Sequence, residues 1–208
     1  MKKRLIVIGA SDLIEIATAS CPGHEIAGYA DLEARSGGGV PYLGTDDDVL
    51  ADGGLADADF AVAIGDNGRR RRLVERLRRA GRQVVTVVHP SATVFASARL
   101  GEGVVVCPQA VVSADAVVGA SSMVTYAAVV GHGVGTGAYC FLAPGAKLLG
   151  GVSLGDEVVV GANAVILPGL SVGHRSRISA GTVVTRPVPE RTVVLLRQQT
   201  RNLSLEEE

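Results

Sequence analysis

The sequence predicts a two-domain chain in which a small α/β domain with a parallel sheet precedes a parallel β-helix. Three observations carry this prediction. The first 88 residues alternate β-like runs with helical segments, aliphatic residues recur every six positions from Val94 onward, and the chain combines 27 Gly with only 3% aromatic residues. Alternating strands and helices are typical of a parallel α/β layer. A glycine-rich, aromatic-poor chain with a short fixed period is typical of folds made from small repeated parts.

The α/β half is built from strands and helices in chain order. Strands are expected over 4–9, 25–30, 59–64 and 83–88, and helices over 12–20, from Thr45 onward and over 69–80. His89-Pro90 then closes the unit. We therefore expect residues 1–90 to form one domain, 91–190 a second, and 191–208 a C-terminal tail.

The second half has a period of six. Every sixth residue is Val, Leu or Ile except Thr136, at positions 94, 100, 106, 112, 118, 124, 130, 136, 142, 148, 154, 160, 166, 172, 178 and 184. Four residues after each of these anchors, from Ala98 to Thr182, the residue is small or a valine, with Leu170 the only larger one. This pattern is a hexapeptide repeat, a signature of parallel β-helices.

The hexad predicts how the coils are built. Each six-residue unit forms one short strand and a bend, so three units close a triangular coil of about 18 residues. Successive coils lie about 4.8 Å apart and share backbone hydrogen bonds, and their anchors stack into an aliphatic column. Sixteen anchors make about five coils, more than the roughly three that such stacking needs.

Bulk properties exclude several classes of protein. A net charge of −1 gives no overall electrostatic reason to expect nucleic acid or an anionic membrane as a partner. Apolar runs are shorter than the roughly 18 residues of a membrane span, and the N-terminal run is too short for a secretory signal. The three cysteines, Cys21, Cys107 and Cys140, lack metal-ligand spacing and suit a reducing compartment. We expect a cytoplasmic protein without metal.

Several segments resemble one family. They are Ala63-Ile64-Gly65-Asp66-Asn67 with Arg70, His89-Pro90-Ser91-Ala92, Val130-Gly131-His132 and Ala143-Pro144-Gly145-Ala146. With them the whole chain resembles the NeuD and PglD family of sugar O- and N-acetyltransferases, in which a Rossmann-like nucleotide-binding domain precedes a left-handed β-helix. Since parallel crossovers are normally right-handed, the left hand comes from this resemblance alone.

The resemblance implies an activity and an assembly. It implies acetyl transfer from acetyl-CoA to an amine of a nucleotide-linked amino sugar, in a homotrimer with active sites between subunits. It also implies site residues. His132 is expected as the general base. Cofactor-binding residues are expected at Phe141, Gly150, Gly161, Ala162 and Ala180, and substrate-binding residues at Gly9, Ser11, Asp31, Gly65, Arg70 and Thr125.

The chain departs from the family pattern near the expected chemistry. Gly133 follows the histidine where the family usually has Asp or Glu, Phe141 replaces a second histidine of many members, and Thr125 replaces an Asn of some. Asp12-Leu13-Ile14 replaces a His-Gly pair, and 195–198 replaces a Gly-x-Pro-Ala segment. Gly133 and Phe141 motivate a second hypothesis, a catalytically decayed trimeric scaffold or ligand-binding protein. O-acetyl transfer, transfer of a longer acyl chain, and transfer without a protein base to an amine of lowered pKa also remain open.

Single residues also have structural interpretations. His132 suits an exposed coil corner, and Cys140 sits at a small corner position, where a core thiol is favoured over a nucleophile. Gly9-Ala10-Ser11-Asp12 follows a strand and opens a helix without a G-x-G-x-x-G fingerprint, so phosphate binding and simple helix capping both remain open. Eight arginines lie between Arg69 and Arg82, and most of these charges are expected on a solvated helix face.

Overall fold

A computed structural model describes residues 2–9, 12–34 and 39–196. The α/β domain consists of strands β1, β2, β3 and β4, helices α1, α2 and α3, and a short 3-10 turn. In chain order these are β1 Lys3–Gly9, α1 Asp12–Ser20, β2 His24–Ala30, α2 Asp46–Ala51, the turn Gly53–Leu55, β3 Asp59–Ala63, α3 Asn67–Arg79 and β4 Gln83–Val84.

Local chemistry sets where two of the helices begin. Thr45 caps α2 and forms a capping box with Asp48. Asp66 caps α3, where its side chain accepts a hydrogen bond of 2.7 Å from the backbone N–H of Arg69. The predicted helix at 12–20 has the observed bounds, and the one at 69–80 begins two residues earlier because Asp66 supplies the cap.

The four strands form one parallel sheet in the order β2-β1-β3-β4. Leu5, Ile6, Val7 and Phe60 are fully buried in it, because helices and the second domain cover its two faces. The strand order reverses between β1 and β3, so their carboxyl ends flank a crevice. In open parallel sheets ligands bind at such a switch point.

The rest of the described chain is a triangular parallel β-helix of two-residue strands on three faces. Face A contains Val87–Val88, Val105–Val106, Met123–Val124, Phe141–Leu142, Val159–Val160, Arg177–Ile178 and Val193–Val194. Face B contains Thr93–Val94, Val111–Val112, Val129–Val130, Lys147–Leu148, Val165–Ile166 and Val183–Val184. Face C contains Arg99–Leu100, Val117–Val118, Gly135–Thr136, Ser153–Leu154 and Ser171–Val172. We call the bends between them the AB, BC and CA corners.

The predicted anchors are the second residue of each strand and point inward. The column includes Val106, Val124, Leu142, Val160 and Ile178, and all of these are at least 98% buried. Strands 18 residues apart pair in parallel, as Met123 does with Phe141. The hexapeptide period thus predicted both strand positions and register.

Two details differ from the simple repeat. The predicted strand 83–88 divides into β4, which extends the α/β sheet, and Val87–Val88, which pairs with Val105–Val106 on face A. The last coil is two residues shorter, because Ile178 pairs with Val194, 16 positions later. The domain limits at residues 90 and 190 remain predictions.

The α/β domain lies on the first coils of face A. Val87, Val105 and Met123 point outward from that face yet are buried, whereas the equivalent Arg177 and Val193, in later coils, are exposed. Leu5, Val7, Leu13 and Ile16 belong to the same apolar cluster as Val105 and Met123. The two domains therefore share an apolar interface.

Candidate active site

The crevice at the carboxyl end of the α/β sheet is a cavity of about 280 Å³. The predicted substrate residues Gly9, Asp31 and Gly65 all line it, together with Ile8, Ala63, Ile64 and Arg69. Gly9 has a φ of +106°, and a Cβ there would lie 2.5 Å from the carbonyl oxygen of Ala63. Only glycine fits at this end of β1. A carboxylate and a guanidinium thus flank a narrow backbone crevice.

Arg69, the neighbour of the predicted Arg70, is a further candidate for the site. It lines the crevice and is partly exposed. A partly exposed guanidinium facing a crevice suits a phosphate group. The phase of α3 could have indicated this. Arg70 lies three, four and seven residues before the buried Leu73, Val74 and Leu77, so it belongs to their face of the helix, whereas Arg69 lies beside that face.

Arg70 is not among the residues that line the crevice, and its predicted substrate contact remains a prediction. Its side chain is fully buried and donates hydrogen bonds to the carbonyls of Ile64, Ser121, Tyr139 and Cys140 and to the Asn67 side chain, at 2.5–3.1 Å. Burial lowers the pKa of Arg70 to about 10. The residue therefore joins the α/β domain to the β-helix.

A second cavity of about 240 Å³ lies between α1 and face A, and we call it the junction cavity. The predicted residues Gly65, Thr125 and Phe141 all line it. The full lining is Asp12, Leu13, Ile16, Ala63, Gly65, Val105, Cys107, Met123, Thr125, Tyr126, Phe141 and Pro144. Ala63 and Gly65 also line the crevice, so the two cavities are neighbours. Leu13 and Phe141, two of the departures noted in the sequence, meet here and make the lining apolar.

Asp12 and Tyr126 place polar groups in this apolar cavity. The Tyr126 hydroxyl, on the AB corner, donates a hydrogen bond of 2.6 Å to Asp12 Oδ2 at the start of α1. Burial and this bond raise the pKa of Tyr126. Burial, followed by the negative charge of Asp12, raises the pKa of Cys107 to about 12. The Cys107 thiol is therefore neutral and unreactive at pH 7.

His132 lies on the BC corner and is exposed to solvent. Its imidazole lies over Gly150 in the next coil, where a Cβ would come within 2.3 Å of His132 Cε1 and 2.5 Å of Nε2. Glycine at 150 thus leaves room for the ring. Gly133 has a φ of +62°, and Asp115, Gly151 and Gly169 have positive φ at the same point of neighbouring coils. The residue after His132 therefore occupies a left-handed corner, which explains a glycine there.

The remaining predicted cofactor residues, Gly161, Ala162 and Ala180, lie on the AB corner. A Cβ at Gly161 would lie 2.5 Å from the backbone nitrogen of Ala180, so stacking of the coils requires glycine. Gly150 and His132 lie on another corner. The predicted cofactor residues consequently fall on two separate edges of one chain.

The structure places the predicted residues in four groups: Gly9, Asp31 and Gly65 in the crevice; Gly65, Thr125 and Phe141 in the junction cavity; His132 with Gly150 on the BC corner; and Gly161, Ala162 and Ala180 on the AB corner. Arg70 is buried between the two domains. Neither cavity is lined by His132. Ser11 lies outside the described residues. In the described ranges no helix is long and apolar enough to cross a membrane, and no group of three or more His, Cys, Asp or Glu side chains is placed to hold a metal ion.

Comparisons with known proteins match both halves of the chain. Residues 4–77 match the family model described as the PglD N-terminal domain, and residues 149–186 match that of the hexapeptide repeat of succinyl-transferase. UDP-N-acetylbacillosamine N-acetyltransferase of Bacillus subtilis (strain 168) is 42% identical over 52 residues. That segment spans 25% of this chain and 24% of the relative's length.

Solved structures match over almost the whole chain. PerB from Caulobacter crescentus, in complex with CoA and GDP-perosamine, is 34% identical and superposes with a TM-score of 0.84 over 93% of each chain. The acetyltransferase domain of PglB from Neisseria gonorrhoeae, in complex with acetyl coenzyme A, is 31% identical with a TM-score of 0.84, covering 93% of this chain and 96% of that one. The architecture is thus an α/β domain followed by a left-handed β-helix, and the chain belongs to the PglD-type family of acetyl-CoA-dependent sugar acetyltransferases.

Proposed function

We propose that this protein transfers the acetyl group of acetyl-CoA to the amine of a nucleotide-linked amino sugar, with His132 as the general base. The observation that carries the proposal is the match to PerB in complex with CoA and GDP-perosamine, at 34% identity over 93% of both chains. UDP-N-acetylbacillosamine N-acetyltransferase and the PglB domain point to the same reaction class.

The crevice suits the nucleotide part of the acceptor. It lies at the switch point of a parallel sheet, where nucleotides bind in many α/β domains. Arg69 offers a cation for the diphosphate, and Asp31, at the end of β2, offers a carboxylate for a ribose or base hydrogen bond. Ala63 and Gly65 line both cavities, so the sugar would extend past these two residues into the junction cavity.

The chemistry needs a base and a close approach. The neutral amine attacks the thioester carbonyl, the N–C bond forms and the C–S bond breaks. A ring nitrogen of His132 accepts the amine proton and returns it to the departing thiolate, so CoA leaves as its thiol. Histidine suits this role near neutral pH, and no covalent enzyme intermediate is needed. Backbone N–H groups would stabilise the oxyanion.

A homotrimer explains why His132 and the junction cavity occupy different corners of one chain. In a site formed between subunits, the BC corner of one chain would face the AB corner of its neighbour. CoA would lie in the groove between them, against Gly150 on one side and Gly161, Ala162 and Ala180 on the other. Val117 and Val183 are exposed on faces C and B, and a trimer would bury apolar surface of this kind.

The test is release of the CoA thiol with a panel of UDP-, dTDP- and GDP-linked amino sugars, with mass spectrometry to identify the product. Calorimetric titration with acetyl-CoA and with each nucleotide runs in parallel. We expect saturable binding of acetyl-CoA and an N-acetylated product from one nucleotide class. A folded protein that binds no acetyl-CoA and acylates no member of the panel would contradict the proposal.

A further inference from the structure

We propose that Asp12 is the specificity-determining residue that binds the acceptor amine in its protonated form, with Tyr126 as the positioning residue that holds the Asp12 carboxylate. The inference rests on the proposed function, because it concerns the acceptor of the same reaction. It assigns a role to a residue outside the segments of family resemblance.

Asp12 differs in charge from the residues that surround it in the junction cavity. Among the described residues that line the junction cavity, Asp12 carries the one charge at neutral pH, and most of the others are aliphatic, aromatic or sulfur-containing. An apolar cavity offers few hydrogen bonds to a sugar hydroxyl. Asp12 is itself exposed to solvent, and its carboxylate attracts a cationic substituent more strongly than a neutral hydroxyl.

Tyr126 fixes the direction of the Asp12 carboxylate. Asp12 Oδ2 accepts the Tyr126 hydroxyl proton at 2.6 Å, and Tyr126 comes from the other domain. Cys107 and Tyr126, both from the β-helix, line the same cavity as Asp12. The carboxylate is therefore held where its charge reaches the cavity interior.

The junction cavity lies next to the crevice. It shares Ala63 and Gly65 with the crevice that we assign to the nucleotide, so a group attached to the diphosphate enters the junction cavity next. A carboxylate at this point distinguishes an ammonium from a hydroxyl. It also distinguishes substrate from product, since acylation converts the cation into a neutral amide. The carboxylate thus selects an amine as the acceptor and favours release of the amide product, while the bound ammonium must lose a proton before the neutral amine attacks.

The experiment is calorimetric titration, without acetyl-CoA, of the tightest-binding nucleotide amino sugar of the panel and of its N-acetylated counterpart. We expect Asp12→Asn to weaken binding of the amine about 10- to 100-fold while changing the amide little, which is the effect of losing a hydrogen bond to a charged group. Tyr126→Phe is expected to reduce the same preference about threefold. Glu15→Gln is the matched control, because Glu15 is an exposed carboxylate on α1 that does not line the cavity.

The pH profile of kcat gives a second readout that a purely structural role would not move. The groups near the carboxylate are Glu15 on α1 and Cys107 and Tyr126 on the β-helix. A carboxylate beside an ammonium stabilises its protonated form, so Asp12→Asn should shift the rise of kcat to lower pH by about one unit.

An equal loss of affinity for amine and amide in Asp12→Asn would overturn the inference and leave Asp12 as a helix and interface residue. Unchanged affinity of Asp12→Asn for both the amine and the amide would overturn it as well. Both results come from binding alone, so they are separate from a failure of acetyl transfer in the wild type, which would contradict the proposed function instead.

Discussion

Helices α1 and α3 both pack the α/β domain against the β-helix, but the two contacts differ in how completely they are filled. At α3, Arg70 and Asn67 are buried and donate hydrogen bonds to β-helix carbonyls. At α1, the same interface encloses a cavity of about 240 Å³ with an apolar lining. One contact is closed and the other is left open.

One interface thus combines a filled contact at α3 with an open cavity at α1. Buried polar groups are costly unless every partner is present, so the α3 contact holds the domains in a fixed geometry. Because α3 fixes the relative position of the two domains, the α1 contact can contain an unfilled cavity. Variants at α3 should therefore lower stability, whereas variants in the junction cavity and at the BC corner should alter binding or rate.

The largest effect on rate is expected from His132→Ala. Loss of a general base should lower kcat about 10²- to 10⁴-fold, while thermal unfolding stays unchanged because the side chain is exposed. Steady-state kinetics and differential scanning calorimetry measure both. His174→Ala is the matched control, since His174 is an exposed histidine on the CA corner. Equal turnover in the two variants would exclude His132 as the base and favour transfer without one.

The largest effect on stability is expected from Arg70→Met. The substitution leaves the buried carbonyls of Ile64, Ser121 and Tyr139 without this donor, and we expect a loss of about 3 kcal/mol in unfolding free energy. Urea denaturation measures it. Arg79→Met, at an exposed arginine of the same helix, should change stability little. A stable Arg70→Met with reduced nucleotide affinity would instead support the predicted substrate role.

A smaller change at the BC corner comes from Gly150→Ala. The new Cβ would lie 2.3 Å from His132 Cε1, so the ring must move. A displacement of about 1 Å at a catalytic group can lower kcat about 10²-fold. Kinetic assays should show that loss, and calorimetry should show weaker binding of acetyl-CoA, because Gly150 is also expected to line the CoA groove. Gly135→Ala is the matched control, because a Cβ at Gly135 would meet nothing within 4 Å.

The smallest effect is expected from Glu157→Gln. Glu157 accepts hydrogen bonds from Arg71 at 2.7 Å and Arg175 at 3.1 Å, so it links α3 to two coils. We expect a loss of about 1 kcal/mol in unfolding free energy that shrinks as salt concentration rises. Glu102→Gln, which affects a more exposed pair with Arg78, should lose less. A larger loss for Glu102 would show that exposed pairs, too, fix the domain geometry.

The periodic half of the molecule could be predicted almost residue by residue. A six-residue period leaves one register for the inward anchors, so Val124 and Leu142 lie where the sequence placed them. The α/β half followed from strand and helix patterns, except that Val87–Val88 joins face A. That choice depends on pairing with Val105–Val106, a contact that no local pattern encodes.

The candidate site was predicted less completely, because its cavities form between distant segments. Gly9, Asp31 and Gly65 were predicted together and lie together. Arg69 and Arg70 are adjacent in a run of arginines, and only the packing of α3 separates the one facing the crevice from the buried one. The pairing of Asp12 with Tyr126, 114 positions apart, could not be read from either residue alone.

The hydrogen bonds of Arg70 do not by themselves fix the position of the α/β domain along the β-helix axis. Its acceptors are main-chain carbonyls, which recur at every coil, so a slip of one coil, about 4.8 Å, would still offer acceptors. The height of the domain is instead specified by side chains such as Glu157 and Tyr126. Insertion of one whole 18-residue coil beyond this stretch should therefore leave the domain where it is, whereas an insertion between Tyr126 and Glu157 would separate these two side-chain contacts by one coil.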